Sequence, residues 1–244
     1  RYNAQLMDTS KAVAITVALE RLGYDVPIRT TGTVVRQLPD PDAPAASVLE
    51  LDDVIVAVDG EPIDSIGEIG DVLAASGVNA EHVLTVERPA GSETRVDVTT
   101  RTIAAEGDPD RAILGFIPEE RITGFEFPVD VSIDSGDVGG PSAGLAFTLA
   151  VLDVLTPGEL TGRAPVAVTG TMSLDGVVGP VGGGRQKAIA VRNAGYAAFL
   201  VPSDEFEEVQ RAVGDDLQVI AVDTLDEALD ALASLGGNAS SLQS

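Results

Sequence analysis

The sequence predicts a two-domain α+β chain: a β-rich domain, then an α/β domain, behind a short N-terminal helix. Three observations carry this. Between residues 32 and 103, short β-branched runs alternate with turn clusters at close spacing. From residue 113 onward, apolar strand-length runs alternate with helix-length runs closed by glycine or proline, the pattern of an α/β layer. The chain has 244 residues, 44% of them apolar, a length for one large domain or two small ones with enough apolar content to build real cores. The expected division is 1–25 as a helical segment, 26–103 as the β-rich domain, 104–238 as the α/β domain and 239–244 as a flexible tail.

Taken in order, residues 9–23 read as a helix. Thr9 or Ser10 caps it, Val13, Val17 and Leu22 recur near helical spacing, and Gly23 stops it. Thr33-Val34-Val35 reads as a strand, followed by the turn cluster 40–44. Asp53–Val58 is a β-branched strand closed by Asp59-Gly60. A short helix over 66–75 and strands over 83–88 and 95–99 follow, the last two joined by a turn at Pro89-Ala90-Gly91-Ser92. The polar stretch 104–112 reads as a linker. In the second domain, strands are expected at 129–133, 166–169, 198–201 and 218–222, with Val177-Val178 in a hairpin. Helices are expected at 142–155, 186–193, 205–213 and 225–235, and a frayed tail from Gly236.

Composition narrows the function. Fifteen basic residues against 39 acidic ones leave a net charge of −24, a field that repels nucleic acid and anionic membrane surfaces. There is no cysteine and one histidine, His82, which excludes thiol catalysis, cysteine-ligated metals and multi-histidine metal sites. No metal or cofactor is expected. No apolar run reaches the roughly 20 residues of a membrane span, and no signal peptide is visible. The chain starts at Arg1-Tyr2 rather than Met, as a piece cut from a longer protein would.

Two segments carry chemistry. In Gly139-Gly140-Pro141-Ser142-Ala143-Gly144, a serine flanked by small residues opens an apolar helix. The small neighbours admit a substrate carbonyl, and the helix start offers backbone N–H groups and the positive dipole end to an oxyanion. A serine before a helix is also an ordinary N-cap. In Gly182-Gly183-Gly184-Arg185-Gln186-Lys187-Ala188, the lysine sits early in a helix among apolar neighbours. Desolvation there lowers its pKa and lets it act as a base toward a serine, although a surface lysine fits the same pattern. The glycines resemble a phosphate loop only faintly. Gly184 precedes Arg185 and Lys187 precedes Ala188, so the Gly-Lys-Ser/Thr end of the Walker pattern is missing and no nucleotide is expected.

The segment from Pro44-Ala45-Ala46 through Asp53–Ile63 resembles a PDZ domain, with Asp52 where a glycine is usual. The resemblance implies that a peptide adds as a strand beside Gly32, Thr33, Val34 and Val35, against the helix near 66–75. Three pieces further on resemble the proteolytic domain of Lon proteases. They are Pro141-Ser142-Ala143-Gly144, then Val168-Thr169-Gly170-Thr171-Met172 through Gly176, then Val178–Lys187. By that resemblance Ser142 is the nucleophile and Lys187 the general base. Thr169 orients the lysine, and Gly140, Pro141 and Ala143 shape the nucleophile turn. Where the Lon motif carries an aspartate this chain has Gly139, and Asp137 is the candidate to supply the charge.

The order PDZ-then-Lon resembles a bacterial family of membrane-anchored, extracytoplasmic Lon-like proteases, the YlbL type. It implies an anchor outside this chain, a soluble remainder, polypeptide substrates and association into a homo-oligomeric ring. The expected function is that of an ATP-independent serine endopeptidase with a Ser-Lys dyad, cleaving extended polypeptides selected by the PDZ domain. The alternative is a non-catalytic PDZ scaffold. A Ser-His-Asp hydrolase would need His82, which is expected at the surface of the β-rich domain.

Overall fold

The computed structural model describes residues 2–88, 95–136, 140–162 and 164–242. It divides into two compact units, 28–126 and 1–27 together with 127–244.

The β-rich unit is built on a sheet of strands β1 (Ile28–Gln37), β2 (Val54–Val58), β3 (Glu61–Pro62), β4 (Glu81–Glu87), β5 (Arg95–Arg101) and β8 (Ile117–Phe125), with helix α2 (Ile66–Ser76) packed on it. The order along the sheet is β5-β4-β2-β1-β8, all antiparallel, and β3 pairs with β2. Val35, Ile55, Leu84 and Val86 alternate inward along their strands and are fully buried, with Ile69 and Leu73 of α2 closing the core above them. Asp59 and Gly60 both take positive φ, as a tight hairpin requires. Asp52 adopts φ 66, the conformation usual for the glycine it replaces, and its carboxylate is tied to Arg36 at 2.6 Å.

Two expectations change here. Residues 104–112 are not a linker. Strands β6 (Ile103–Ala105) and β7 (Asp108–Ile113) form a hairpin, turning at Gly107 with φ 78. The unit then runs on through β8 to Glu126, past the expected boundary at 103, because β8 hydrogen-bonds along the length of β1. The turn expected at 89–92 lies outside the described residues.

The other unit is layered. A parallel sheet of β9 (Val166–Val168), β12 (Ala198–Val201) and β13 (Gln218–Ala221) runs in the order β13-β12-β9. All four residues of β12 are buried because both faces are covered. Leu200 faces a core built with α1 (Tyr2–Arg21), α3 (Gly144–Leu155) and α6 (Leu225–Ser234). Phe199 and Val201 face α4 (Gly184–Asn193) and α5 (Ser203–Val213). The antiparallel hairpin of β10 (Thr171–Met172) and β11 (Val178–Gly179) buries Met172 and Val178 in the same core as Leu200.

The N-terminal helix packs along α3 and is part of this unit. Residues 129–133 are not a strand. Val129, Val131 and Ile133 alternate against the core, but no described strand pairs with them. The C-terminal segment is not free up to Leu242: Ala239 is buried, and a short 3-10 turn covers Ala239–Leu242. Among the described residues no helix is long and apolar enough to cross a membrane.

Candidate active site

Ser142 lies in a single 3-10 turn, Pro141–Ala143, that leads directly into α3. The turn is held at three points. The Ser142 carbonyl accepts the Gly170 N–H at 3.0 Å and the Thr169 hydroxyl at 3.1 Å. Ser10 of α1 reaches across 131 positions to donate to the Pro141 carbonyl at 3.3 Å. The N–H groups of Gly144 and Leu145 are already bonded, to Pro141 and Gly170 respectively.

The glycines of this segment do different work. Gly140 has φ 95 with open space around its Cα, so it is there to turn the chain. Gly144 is there for packing, since a Cβ at that position would sit 2.7 Å from the Met172 backbone nitrogen. At Gly144 the packing against Met172 is by itself enough to require a glycine. Gly139 and Asp137 lie outside the described residues.

Lys187 occupies the first turn of α4, its N–H bonded to the carbonyl of Gly183, which takes the left-handed conformation at φ 74. Its Nζ donates to Thr169 Oγ1 at 3.1 Å. Thr169, only 5% exposed, follows β9 and is anchored by its own N–H to the Leu200 carbonyl at 3.0 Å. A line of hydrogen bonds thus runs from lysine amine to threonine hydroxyl to the backbone of the serine. Burial pushes the Lys187 amine below the ordinary lysine range, and the nearby charge of Glu205 acts in the opposite sense.

The structure therefore gathers Ser142, Lys187, Thr169, Gly140, Pro141 and Ala143 at one place. It leaves no free edge at Gly32, Thr33, Val34 and Val35: Thr33 and Val34 are paired to β2 on one side and β8 on the other, and Thr33 and Val35 are fully buried.

Two neighbours escaped the sequence reading. Ser10 is one, with no local signal to mark it. Glu205 is the other, 9% exposed at the start of α5. One of its oxygens accepts the Val181 N–H at 2.8 Å, fixing the glycine-rich turn before Lys187. Its side-chain carbons pack where a Cβ on Gly184 would intrude, 3.4 Å away. An amphipathic acidic helix hid it as one more solvated glutamate.

His82 is not a surface residue. It is 3% exposed, with Nδ1 at 2.7 Å from Asp59 and Nε2 at 2.8 Å from Ser76 Oγ, all within the β-rich unit. Among the described residues, no group of three or more His, Cys, Asp and Glu is placed to hold a metal ion.

Residues 125–234 match the model of the Lon protease (S16) C-terminal proteolytic domain, and residues 37–88 match that of a PDZ domain. The chain carries a PDZ domain and a Lon-type proteolytic domain. Lon protease 1 of Sorangium cellulosum is 28% identical over 86% of this chain and 22% of that protein. The Lon protease of Haemophilus influenzae is 40% identical over 37% of this chain and 11% of that protein. The chain thus spans only about a tenth to a fifth of these relatives. Among solved structures, the PDZ domain of an SdrC-like protein from Listeria monocytogenes is similar at 21% identity and TM-score 0.32. It covers 36% of this chain and 86% of its own. The α/β unit thus matches a protease domain by family model, and the β-rich unit a PDZ domain.

Proposed function

We propose that the chain is an ATP-independent serine endopeptidase that cuts extended polypeptides, with Ser142 as nucleophile, Lys187 as general base and Thr169 holding the lysine in place. The observation that carries this reading is the Lys187–Thr169–Ser142 hydrogen-bond line at the N-terminal end of α3. The amine, its pKa lowered by burial, takes the proton of the serine hydroxyl as the oxygen attacks the scissile carbonyl. The resulting oxyanion sits at the positive end of the helix dipole. Because Gly144 and Leu145 N–H groups are engaged, its donors come from the turn carrying Ser142 itself. The lysine then protonates the leaving amine, and in the second half activates the water that releases the acyl group.

The phosphate-loop pattern fails at Arg185 and Ala188, and in this reading hydrolysis by Ser142 and Lys187 draws on no nucleotide. Extended polypeptides are the proposed substrates and tightly folded proteins poor ones. The PDZ domain supplies selection of extended segments, and membrane anchoring and ring assembly are proposals that rest on the resemblance.

The test is casein hydrolysis without ATP by the wild type, Ser142→Ala and Lys187→Ala between pH 6 and 10. Loss of activity in both variants supports the dyad. A silent wild type that still binds casein would favour the scaffold alternative instead.

A further inference from the structure

The sheet of the β-rich unit ends in two edge strands, β5 and β8. Helix α2 and a cavity of about 350 Å³ stand beside β8. The cavity is lined by Ile66, Ile69 and Leu73 of α2, by Pro118 of β8 and by Thr33 of the adjoining β1, among others. Pro118 has no N–H to give, and such a residue is accommodated on an edge strand. A polypeptide added as a strand at this cavity therefore lies along β8, with every second side chain turned toward α2.

The floor of that groove is not wholly apolar. Thr33 and Glu120 are directly opposite in the pairing of β1 with β8, and hence on one sheet face. Thr33 is fully buried, and its hydroxyl has no hydrogen-bond partner. Glu120 is anchored by one oxygen, which accepts the Ile66 N–H at the start of α2 at 2.9 Å. Its other oxygen is buried without a partner. The nearby carboxylates are matched from within the chain. Arg36 holds Glu119 at 2.6 and 2.9 Å, and Arg121 holds Glu87 at 2.6 Å. At Glu120 a buried carboxylate oxygen is left short of a donor, which costs free energy that a donor from outside recovers. Ammonium and guanidinium groups carry only donors, and apolar walls suit the methylene stem that brings them in. The other charges on the lining, Asp110 and Arg111, are exposed and opposite in sign. The buried carboxylate is therefore the charge that discriminates.

We infer that Glu120 is the specificity-determining residue of this groove. The groove selects extended polypeptides with lysine or arginine at the position facing Glu120 and a bulky apolar side chain two residues away, in the rest of the cavity. This rests on the PDZ domain serving as a polypeptide receptor, and not on the dyad. For the proposed protease it names a substrate class: segments in which a basic and an apolar residue are separated by one residue of any kind.

The test uses the full chain with Ser142→Ala, so that nothing is cut and failure of the hydrolytic reading leaves the binding result standing. The probe is the hexapeptide Thr-Leu-Thr-Lys-Thr-Leu, labelled at its N-terminus and free at its C-terminus, followed by fluorescence anisotropy. Leucine stands two residues from the lysine on both sides, so either strand direction is served. The comparison peptide carries norleucine for lysine, which keeps the stem and removes the charge. It should bind about tenfold more weakly, the low end for losing a hydrogen bond to a charged group. Glu120→Gln keeps an acceptor for the Ile66 N–H. It should weaken the lysine peptide and bring the two within about twofold of each other, as removal of one partner of a coupled pair does. The whole chain carries a net charge of −24 and attracts any cation, so Glu61→Gln, at an exposed acid on β3, is the control and should keep the tenfold preference. A preference that survives Glu120→Gln, or that falls as far in Glu61→Gln, would overturn the inference. Equal binding of the two peptides by the chain with Glu120 intact would overturn it without any further variant and leave the receptor reading in place. Binding of neither peptide would overturn the receptor reading itself.

Discussion

Each unit of this protein holds a serine in a polar array, and the proposed function places hydrolysis at the one with fewer short hydrogen bonds. In the PDZ unit, Ser76, His82 and Asp59 stand in line at 2.8 and 2.7 Å. In the protease unit, Ser142 is tied to Lys187 through Thr169. What separates them is the end of the helix on which each serine sits. Ser76 is the last residue of α2, where carbonyls and the negative dipole end repel a developing oxyanion. Its hydroxyl donates to the Leu73 carbonyl at 3.1 Å, and the N–H groups that follow are bonded, Gly77 to Leu73 and Asn79 to Thr102. Ser142 sits at the opposite pole, before the first turn of a helix. Hydrogen-bond lengths alone do not identify a nucleophile; the field at its oxygen does.

The largest effect tests that contrast directly. Ser142→Ala and Lys187→Ala should each lower kcat for casein by about 10⁴-fold or more, and the double variant should be no worse than either, since such groups act as a unit. Ser76→Ala and His82→Gln should leave kcat/KM within about twofold, as expected for groups outside the chemistry. Activity surviving Ser142→Ala and lost in Ser76→Ala would reverse the assignment of the two arrays.

Next in size is Thr169→Val, which keeps shape and removes the hydroxyl between lysine and serine backbone. Misplacing the lysine should cost about 10- to 100-fold in kcat with little change in KM, and Thr169→Ser should recover most of it. A loss in KM alone would mean that the threonine shapes the binding cleft instead of holding the base.

The contrast also bears on what a sequence reader can see. That the Ser142 turn, Thr169 and the Lys187 turn come together was legible because each is a short local pattern of residue types. The fully buried β12, with both faces covered, was equally legible as an unbroken apolar run. What was not legible depends on long-range closure. Ser10 meets Pro141 across the chain. His82 reads as a surface residue because it stands just before the strand expected at 83; the strand in fact starts at Glu81, and alternation then puts His82 on the inward row with Leu84 and Val86. Residues 104–112 are polar, yet they make a hairpin because Gly107 permits the turn and the side chains face outward. The strand β8 shows neither strong alternation nor apolar content, since its stability comes from the edge of β1 and not from a buried face of its own.

A pH series sharpens the electrostatic half of the comparison. Lysine is a base only when neutral, so the rate should rise with pH as Lys187 loses its proton. Burial places that midpoint below the ordinary lysine range. Glu205 opposes burial by favouring the charged amine. Glu205→Gln removes that charge while keeping an acceptor for Val181, so the midpoint should move to lower pH. A fall in rate at every pH without movement of the midpoint would mean that Glu205 acts only as a brace for the turn.

The smallest effect belongs to the PDZ array, and it is on stability. His82→Gln leaves Asp59 and Ser76 without the ring that joins them inside the strand end, and loss of such partly buried bonds costs about 1–3 kcal/mol. Urea unfolding should show that loss while hydrolysis by the folded protein stays unchanged. The Asp59 carboxyl is held below the usual range, first by the Val83 N–H and then by His82. A depressed carboxyl adds stability above its unfolded pKa and gives it up as pH falls through the folded one. The deficit of His82→Gln should therefore shrink in acid, where the carboxylate is protonated in both proteins. A deficit that holds constant down to the acid transition would place the role of His82 in packing rather than in its bond to Asp59.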